Sequence, residues 1–410
     1  MRYGIEAVNV YAGLARIGVA ELFAGRGLDP ARLENLAMRA RSVGLPFEDP
    51  VTNAVNAAKP VVDALDPAGR DAIEVLVTST ESGLDLSKSV ASYVHEYLGL
   101  SRNCRLLEVK QACYAATGAL QLAAGYLASG VSPGAKALVI ATDVALVDAR
   151  AQYAEPATGH GAAAVLVGDD PRVLALDLGA FGCYSYETMD SARPTPQFDI
   201  ADVDRSLFAY LDCLANSFAD YRSRVEGADF LTTFDHLALH TPFAGLVKAA
   251  HRKMMREAGA RGDAIEADFQ RRVAPSLVYP SLVGNLCSGS VYLALASLLD
   301  HAGIEAGTRI GLYSYGSGCS SEFFTGTVDA ASVAAVKRYR IGAHLARRRE
   351  LSFDEYAALL PDTLATLVPV PERVVDLDRY ESFLGGRDGG RPELLVHTRT
   401  KDYQRMYEWR

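Results

Sequence analysis

The apolar positions of this chain follow two rhythms. Short continuous runs rich in β-branched residues read as strands buried on both faces. Longer stretches with apolar residues every three or four positions read as helices. "AIEVLVTST" (72–80), "CRLLEVKQ" (104–111), "KALVIATDV" (136–144) and "GAAAVLVG" (161–168) are runs of the first kind. "LSKSVASYVHEYLG" (86–99) and "YAATGALQLAAGYLASG" (114–130) are of the second kind, and each ends on glycine. The alternation then returns. "FDHLALHT" (234–241) reads as a strand and "PFAGLVKAAHRKMMREAG" (242–259) as a helix with proline near its start. "NLCSGSVYLALASLLDHAG" (285–303) runs from small residues into an apolar helix, and "RIGLYSYG" (309–316) and "SSEFFTGTV" (320–328) read as strands. The first sixty residues read as a helical stretch with polar connections, ahead of "NAVNAAKPVVDAL" (53–65).

Strands alternating with helices predict an α/β protein with a largely parallel sheet. The repeated grammar predicts an internal duplication, with halves of roughly 1–170 and 171–410. After about Val328 the chain becomes more charged ("KRYRIGAHLARRRELSFDEY"), which predicts a C-terminal extension packed on the outside.

Composition narrows the function classes. The chain has 410 residues, 49% of them apolar, which suits an ordinary globular protein large enough for two cores. A formal net charge of -9 argues against nucleic acid as the main partner. The N-terminus has no basic-then-apolar leader pattern, and no apolar run approaches the about 18–20 residues that span a bilayer. The six cysteines are scattered without a CxxC, and the histidines show no repeated ligand spacing. A cytoplasmic protein with free thiols, no membrane partner and no metal is expected.

Four residues fall in one structural slot, the carboxyl end of a strand or the start of the next helix: Glu81, Cys113, His240 and Asn285. Open α/β sheets gather their sites at such ends. Taken singly, each has an ordinary explanation. Cys113 reads as a buried structural thiol, Glu81 as a carboxylate at a helix N-terminus, His240 as a core histidine and Asn285 as a helix cap. Taken together they suit acyl chemistry. A thiol before a helix feels the positive end of the dipole, which favours thiolate, and first-turn amides can hold an oxyanion. The glycines of "YGSGCSSEFF" (315–324) allow backbone to approach a ligand closely.

These motifs carry a resemblance. Glu81 in "TSTESGLDLSKS", Cys113 in "KQACYAATGAL", His240 in "LHTPFAGLVKAAHRK", Asn285 in "VGNLCSGSVYLAL" and the turn "SYGSGCSSEFF" together resemble hydroxymethylglutaryl-CoA synthase, of the thiolase superfamily. "GIEAVNVY" and "EPATGHGAAAVLVG" are similar to further family segments. The resemblance implies a thiolase fold, a duplicated five-layer αβαβα architecture with a C-terminal extension, and a homodimer. It also implies roles. Cys113 takes an acetyl group, Glu81 removes a proton from the acetyl methyl, and His240 serves the developing alkoxide. Asn285, Gly318, Cys319 and Lys248 contact substrate. No metal or redox cofactor is implied, since the substrates are thioesters of the phosphopantetheine arm of CoA or an acyl carrier protein.

Gly118, where primary-metabolism members tend to have proline, and the wording of "GLDLSKSVASYVHEYLGL" resemble the members of polyketide β-branching cassettes. There both acyl groups ride on acyl carrier proteins, donor and acceptor. Carrier proteins are acidic, so basic stretches are candidate docking surfaces. "HRKMMR", with Arg252, Lys253 and Arg256, and "KRYRIGAHLARRR" (337–349) are the two found here. The chain departs from the common family form at Cys287 and Ser288, where tyrosine and threonine are expected. The alternatives are a primary-metabolism synthase using acetyl-CoA and acetoacetyl-CoA, a ketoacyl synthase III-like enzyme, which needs no carboxylate base, and a non-catalytic scaffold of the same fold.

Overall fold

A computed structural model describes residues 2–144, 154–196, 198–385 and 393–410. Nine strands form the main sheet: β1 Gly4–Tyr11, β2 Ile73–Ser79, β3 Arg105–Val109, β4 Lys136–Asp143, β5 Gly161–Gly168, β6 Leu174–Ser185, β7 His236–Leu239, β8 Arg309–Gly316 and β9 Ser320–Thr327. Their spatial order is β7-β8-β9-β6-β1-β5-β4-β2-β3. The β1–β6 contact is a seam of two residue pairs, Gly4 with Ala175 and Ile5 with Leu174. Outward from it, β1-β5-β4-β2 and β6-β9-β8-β7 have the same pattern: two antiparallel pairings, then a parallel one.

Six helices cover the sheet: α1 Pro50–Asp63, α2 Val90–Leu98, α3 Ala115–Ala128, α4 Val203–Arg224, α5 Ala244–Glu257 and α6 Ser290–His301. Strand residues alternate between the two faces. Val77, Val139 and Leu312 share a core with α3 and α6 in the middle. Leu76 and Ile140 face α1 and α2. Leu239, Tyr313 and Phe323 face α4 and α5. Helix, sheet, helix, sheet, helix follow in five layers. With both faces covered, the inner strands have no reason to alternate in polarity, which is why they read as unbroken apolar runs.

Three expectations need correction. The sheet is mixed, because β5, β6 and β9 pair antiparallel with their neighbours. The start of the chain is strand β1 at the centre of the sheet, not a helical stretch. The segment after Val328 is built in and not laid on the outside. Its strand Arg349–Leu351 pairs with Ala15–Gly18, and Tyr356, Phe383 and Val396 share a core with Ile17, Leu22 and Phe47. Arg348 is buried and donates to Ser42 Oγ and to the Leu282 carbonyl.

Candidate active site

The ends of β2 and β3 converge with the turn before α6. β2 runs out into Thr80 and Glu81, the loop after β3 presents Cys113 two residues before α3, and a 3₁₀ turn, Cys287–Gly289, precedes α6. The Cys113 thiol donates to Glu81 Oε1 at 3.3 Å. Glu81, Cys113 and Cys287 are half-buried, and their carboxylate and sulfur atoms all lie within 4.8 Å of one another. A Ser79–Ser288 hydroxyl pair at 2.7 Å ties β2 to the 3₁₀ turn. The loop carrying Glu81 is fixed on both sides. Asp143 Oδ1, at the end of β4, accepts from the Glu81 N–H (2.7 Å), Thr80 Oγ1 and Ser82 Oγ. Arg193, ion-paired with Asp199, donates to the Glu81 carbonyl and Ser82 Oγ.

The electrostatics correct the expected thiolate. A hydrogen bond from Cys287 lowers the Cys113 pKa, but burial and the adjacent Glu81 carboxylate raise it by more, to about 11. Two residues ahead of the helix, the dipole does not offset a neighbouring negative charge. Cys113 is therefore a neutral thiol at pH 7, paired with a base. The Cys287 thiol is pushed well above its ordinary value by its bond to Cys113 and by burial. Burial, then the Glu81 charge, lifts the Asp143 carboxyl to about 8, and its Oδ2 has no partner among the described residues.

His240 follows β7. Its N–H donates to the Tyr313 carbonyl and its own carbonyl accepts from Tyr210 OH. Burial lowers the ring to about 3, so it is neutral, and Nδ1 has no partner among the described residues. The ring lies 6.5 Å from that of Tyr315, whose hydroxyl donates to Asp190. Beside Tyr315, Gly316 packs on the Cys113 loop so closely that a Cβ would fall 2.4 Å from the Gln111 carbonyl oxygen. The surroundings of His240 and of Cys113 thus meet through Tyr315 and Gly316. Asn285 lies two residues before Cys287. Its backbone pairs with Ala157 and Gly159, and its Oδ1 accepts from Ser290 Oγ, leaving the amide NH₂ as a donor.

Other nominated residues are engaged elsewhere. The Gly318 N–H donates to Asp190 Oδ1 and the Cys319 N–H to the Tyr186 carbonyl, so neither is an open oxyanion donor. Ser317, between them and β8, keeps an N–H without a partner among the described residues. Lys248 is paired with Glu266 and lies over the Phe269 ring. On the same helix Lys253 is paired with Glu257, while Arg252 and Arg256 are exposed. A cavity of about 120 Å³ lined by Tyr11, Asn56, Tyr339 and Arg348 shares no residue with the cluster around Cys113.

Residues 61–172 match the family described as "Hydroxymethylglutaryl-coenzyme A synthase N terminal", and residues 259–363 match its C-terminal counterpart. The chain is 47% identical to the polyketide biosynthesis 3-hydroxy-3-methylglutaryl-ACP synthase PksG of Bacillus subtilis, over 99% of both chains. It is 34% identical to the hydroxymethylglutaryl-CoA synthase of Enterococcus faecalis, over 89% of this chain and 93% of that one. The chain belongs to the hydroxymethylglutaryl-CoA synthase family. Among solved structures, the curacin-pathway HMG synthase in complex with apo donor-ACP superposes with a TM-score of 0.95 at 45% identity, covering 100% of both chains. MvaS in complex with 3-hydroxy-3-methylglutaryl coenzyme A superposes with a TM-score of 0.85 at 32% identity, covering 100% of this chain and 99% of that one. The fold is therefore the thiolase fold of HMG synthases, and the protein is a carbon–carbon-bond-forming acyltransferase by family.

Within this HMG synthase, sequence reasoning passed over three site residues. Asp143 was findable, since it ends a buried strand in the same slot as Glu81. Cys287 stood out only as a departure from the family form. Asp190, buried and bonded to both Tyr315 and Gly318, leaves no signal in "ETMDSARPT".

Proposed function

We propose that this HMG synthase adds an acetyl group, carried on Cys113, to the β-carbonyl of a β-ketoacyl chain held on an acyl carrier protein, as a step of polyketide β-branching. The Cys113–Glu81 contact carries the chemical part of the reading. A nucleophile bonded directly to a carboxylate suits a condensation that begins with proton removal, whereas a decarboxylating ketoacyl synthase needs no such base. Identity over essentially the full length to PksG, higher than to the CoA-dependent enzyme of Enterococcus faecalis, supports the carrier part.

Glu81 takes the Cys113 proton as sulfur attacks the acetyl thioester, then passes it to the departing pantetheine sulfur and is a carboxylate again. Glu81 next removes a proton from the acetyl methyl. The enolate oxygen meets backbone N–H groups, for which Cys113 and Ser317 are our candidates. The carbanion attacks the acceptor β-carbonyl, the neutral His240 ring donates a hydrogen bond to the developing alkoxide, and the proton that Glu81 took is delivered to that oxygen, which returns Glu81 to the carboxylate. Asn285 holds the acceptor through its free NH₂. Water hydrolyses the bond to Cys113, and the product leaves on its carrier. Arg252 and Arg256 form the docking patch, and the active enzyme is a homodimer.

Intact-mass measurement after parallel incubation with acetyl-carrier protein and acetyl-CoA tests the reading. One acetyl group per chain is expected, gained faster from the carrier and absent in Cys113→Ala. A faster reaction with acetyl-CoA would replace the polyketide reading with a primary-metabolism one.

A further inference from the structure

Two thiols and a carboxylate converging in a half-buried site form an unusual donor set. The reaction uses one of the thiols. The other, Cys287, has no step assigned to it. We infer that Cys113, Cys287 and Glu81 form a binding site for one thiophilic divalent cation of the Zn²⁺ class, and that its occupancy excludes acetylation of Cys113.

The geometry supports this. The three donor atoms lie within 4.8 Å of one another, and two of them, Cys113 Sγ and Glu81 Oε1, are already 3.3 Å apart. In a tetrahedral site with metal–sulfur bonds of about 2.3 Å and metal–oxygen bonds of about 2.0–2.2 Å, donors stand about 3.5–4 Å apart. Small side-chain rotations close the difference. The donors come from three separate segments whose backbones are pinned: Glu81 by Asp143 and Arg193, the Cys287 turn by the Ser79–Ser288 bond, and Cys113 by the start of α3. A site held this way is preorganised. The buried Asp143 carboxyl, which accepts from the Glu81 N–H, leaves its Oδ2 without a partner among the described residues.

Binding forms two metal–sulfur bonds and one metal–oxygen bond. Two thiol protons leave to solvent, and water completes the coordination. The Cys113 lone pair that would attack a thioester is then committed to the metal. The competition with acetylation rests on the proposed role of Cys113, but the binding itself does not.

The test uses Co²⁺ as a spectroscopic stand-in for Zn²⁺, with the full-length, fully reduced protein freed of reductant under anaerobic conditions. One Co²⁺ per chain should give a thiolate-to-metal charge-transfer band and the strong visible bands of a tetrahedral ion, and Zn²⁺ should abolish both. Cys287→Ser should halve the charge-transfer band and weaken binding at least about 10- to 100-fold, the cost found even for groups one shell further out. Glu81→Gln should keep the band but bind more weakly. Alkylation or acetylation of Cys113 should have the same effect as Cys287→Ser. Cys213 and Cys319, whose sulfurs are 3.5 Å apart elsewhere, are a competing thiol pair, so Cys213→Ser should leave the band unchanged. The inference is overturned if no band forms, if the band keeps its full intensity in folded Cys287→Ser or alkylated protein, or if it is lost in Cys213→Ser. Because the readout is a spectrum, it stands whether or not the protein condenses acyl groups.

Discussion

Replacing Glu81 by glutamine should make Cys113 more reactive toward a simple electrophile while stopping the condensation. The Cys113 thiol and the Glu81 carboxylate are in contact at 3.3 Å. Ionising Cys113 places a second negative charge beside Glu81. Coulomb's law with an effective dielectric of about 20 puts the unrelaxed repulsion near ~5 kcal/mol at that distance. The net rise of the thiol from 9.0 to about 11 corresponds to only ~2.7 kcal/mol. The bond from Cys287 and local solvent absorb the remainder. Glutamine removes the charge but keeps the shape and leaves burial in place. The midpoint of the Cys113 alkylation profile should therefore fall by about one to two pH units. A more acidic thiolate is also a weaker nucleophile, with a Brønsted slope of about 0.4–0.5, so alkylation at pH 8 should quicken by roughly 4- to 12-fold. Iodoacetamide labelling across pH, with the Cys113 peptide quantified by mass spectrometry, reads this directly. Acetyl transfer onto Cys113 should slow without Glu81 to take the thiol proton but still occur through the enlarged thiolate fraction, while condensation should drop by about 10²–10⁴-fold. An unmoved alkylation midpoint in folded protein would mean that the carboxylate does not face the thiol, and the proposed pairing would fall.

The Arg252→Glu, Arg256→Glu double variant should slow acetyl transfer from the carrier and flatten its salt dependence, and leave hydrolysis of a short pantetheine thioester nearly unchanged. Equal damage to both substrates would make the patch structural. Adding Lys253→Glu should contribute less, because Lys253 is already paired with Glu257. Light scattering at micromolar concentration should show a dimer, consistent with the exposed Leu107 on β3 and Leu122 on α3; a monomer would contradict it. Burial raises the Glu48 carboxyl to about 7 and the Asp143 carboxyl to about 8, so the folded state holds protons that the unfolded state has released. Their contribution is fully present below about pH 4 and is lost as pH rises through 7 to 8. Glu48→Gln with Asp143→Asn should therefore flatten the fall of Tm over that range, and an unchanged slope would refute the assignment.

The parts of the fold legible in sequence are those whose environment is uniform. Strands β2, β4 and β5 lie between two helical layers, so every residue is apolar for the same reason. β1 carries Glu6 and Asn9 within "GIEAVNVY", and only its pairing with β5, some 150 residues away, makes it a strand. Strand direction was likewise hidden, since an antiparallel partner and a parallel one look alike in a buried run. The long helix α4 escaped because its exposed face is rich in charge and its buried face, Tyr210, Phe218 and Tyr221, is aromatic and widely spaced. In the site, residue types and their places after strands nominated Cys113 and Glu81. What they could not give was the ionisation of Cys113, which depends on Glu81 and Cys287 arriving from distant segments.

Two hydroxyl pairs cross between the β1-side and β6-side strand sets at the level of the chemistry: Ser79 with Ser288 at 2.7 Å, and Thr117 on α3 with Tyr292 on α6 at 3.2 Å. They act as gauge blocks. Glu81 and Cys113 belong to one set, His240 and Asn285 to the other, so in the proposed reaction the gap that a carbanion must cross to its carbonyl is machined by neither set alone. A misplacement of about 1 Å can cost on the order of 10²-fold in rate. Removing a hydroxyl at these contacts, as in Ser288→Ala, leaves every reacting group in the protein yet changes their spacing. Homologues that differ in turnover despite having identical reacting residues can therefore be compared first at these four positions, where the tolerance of the assembly is set.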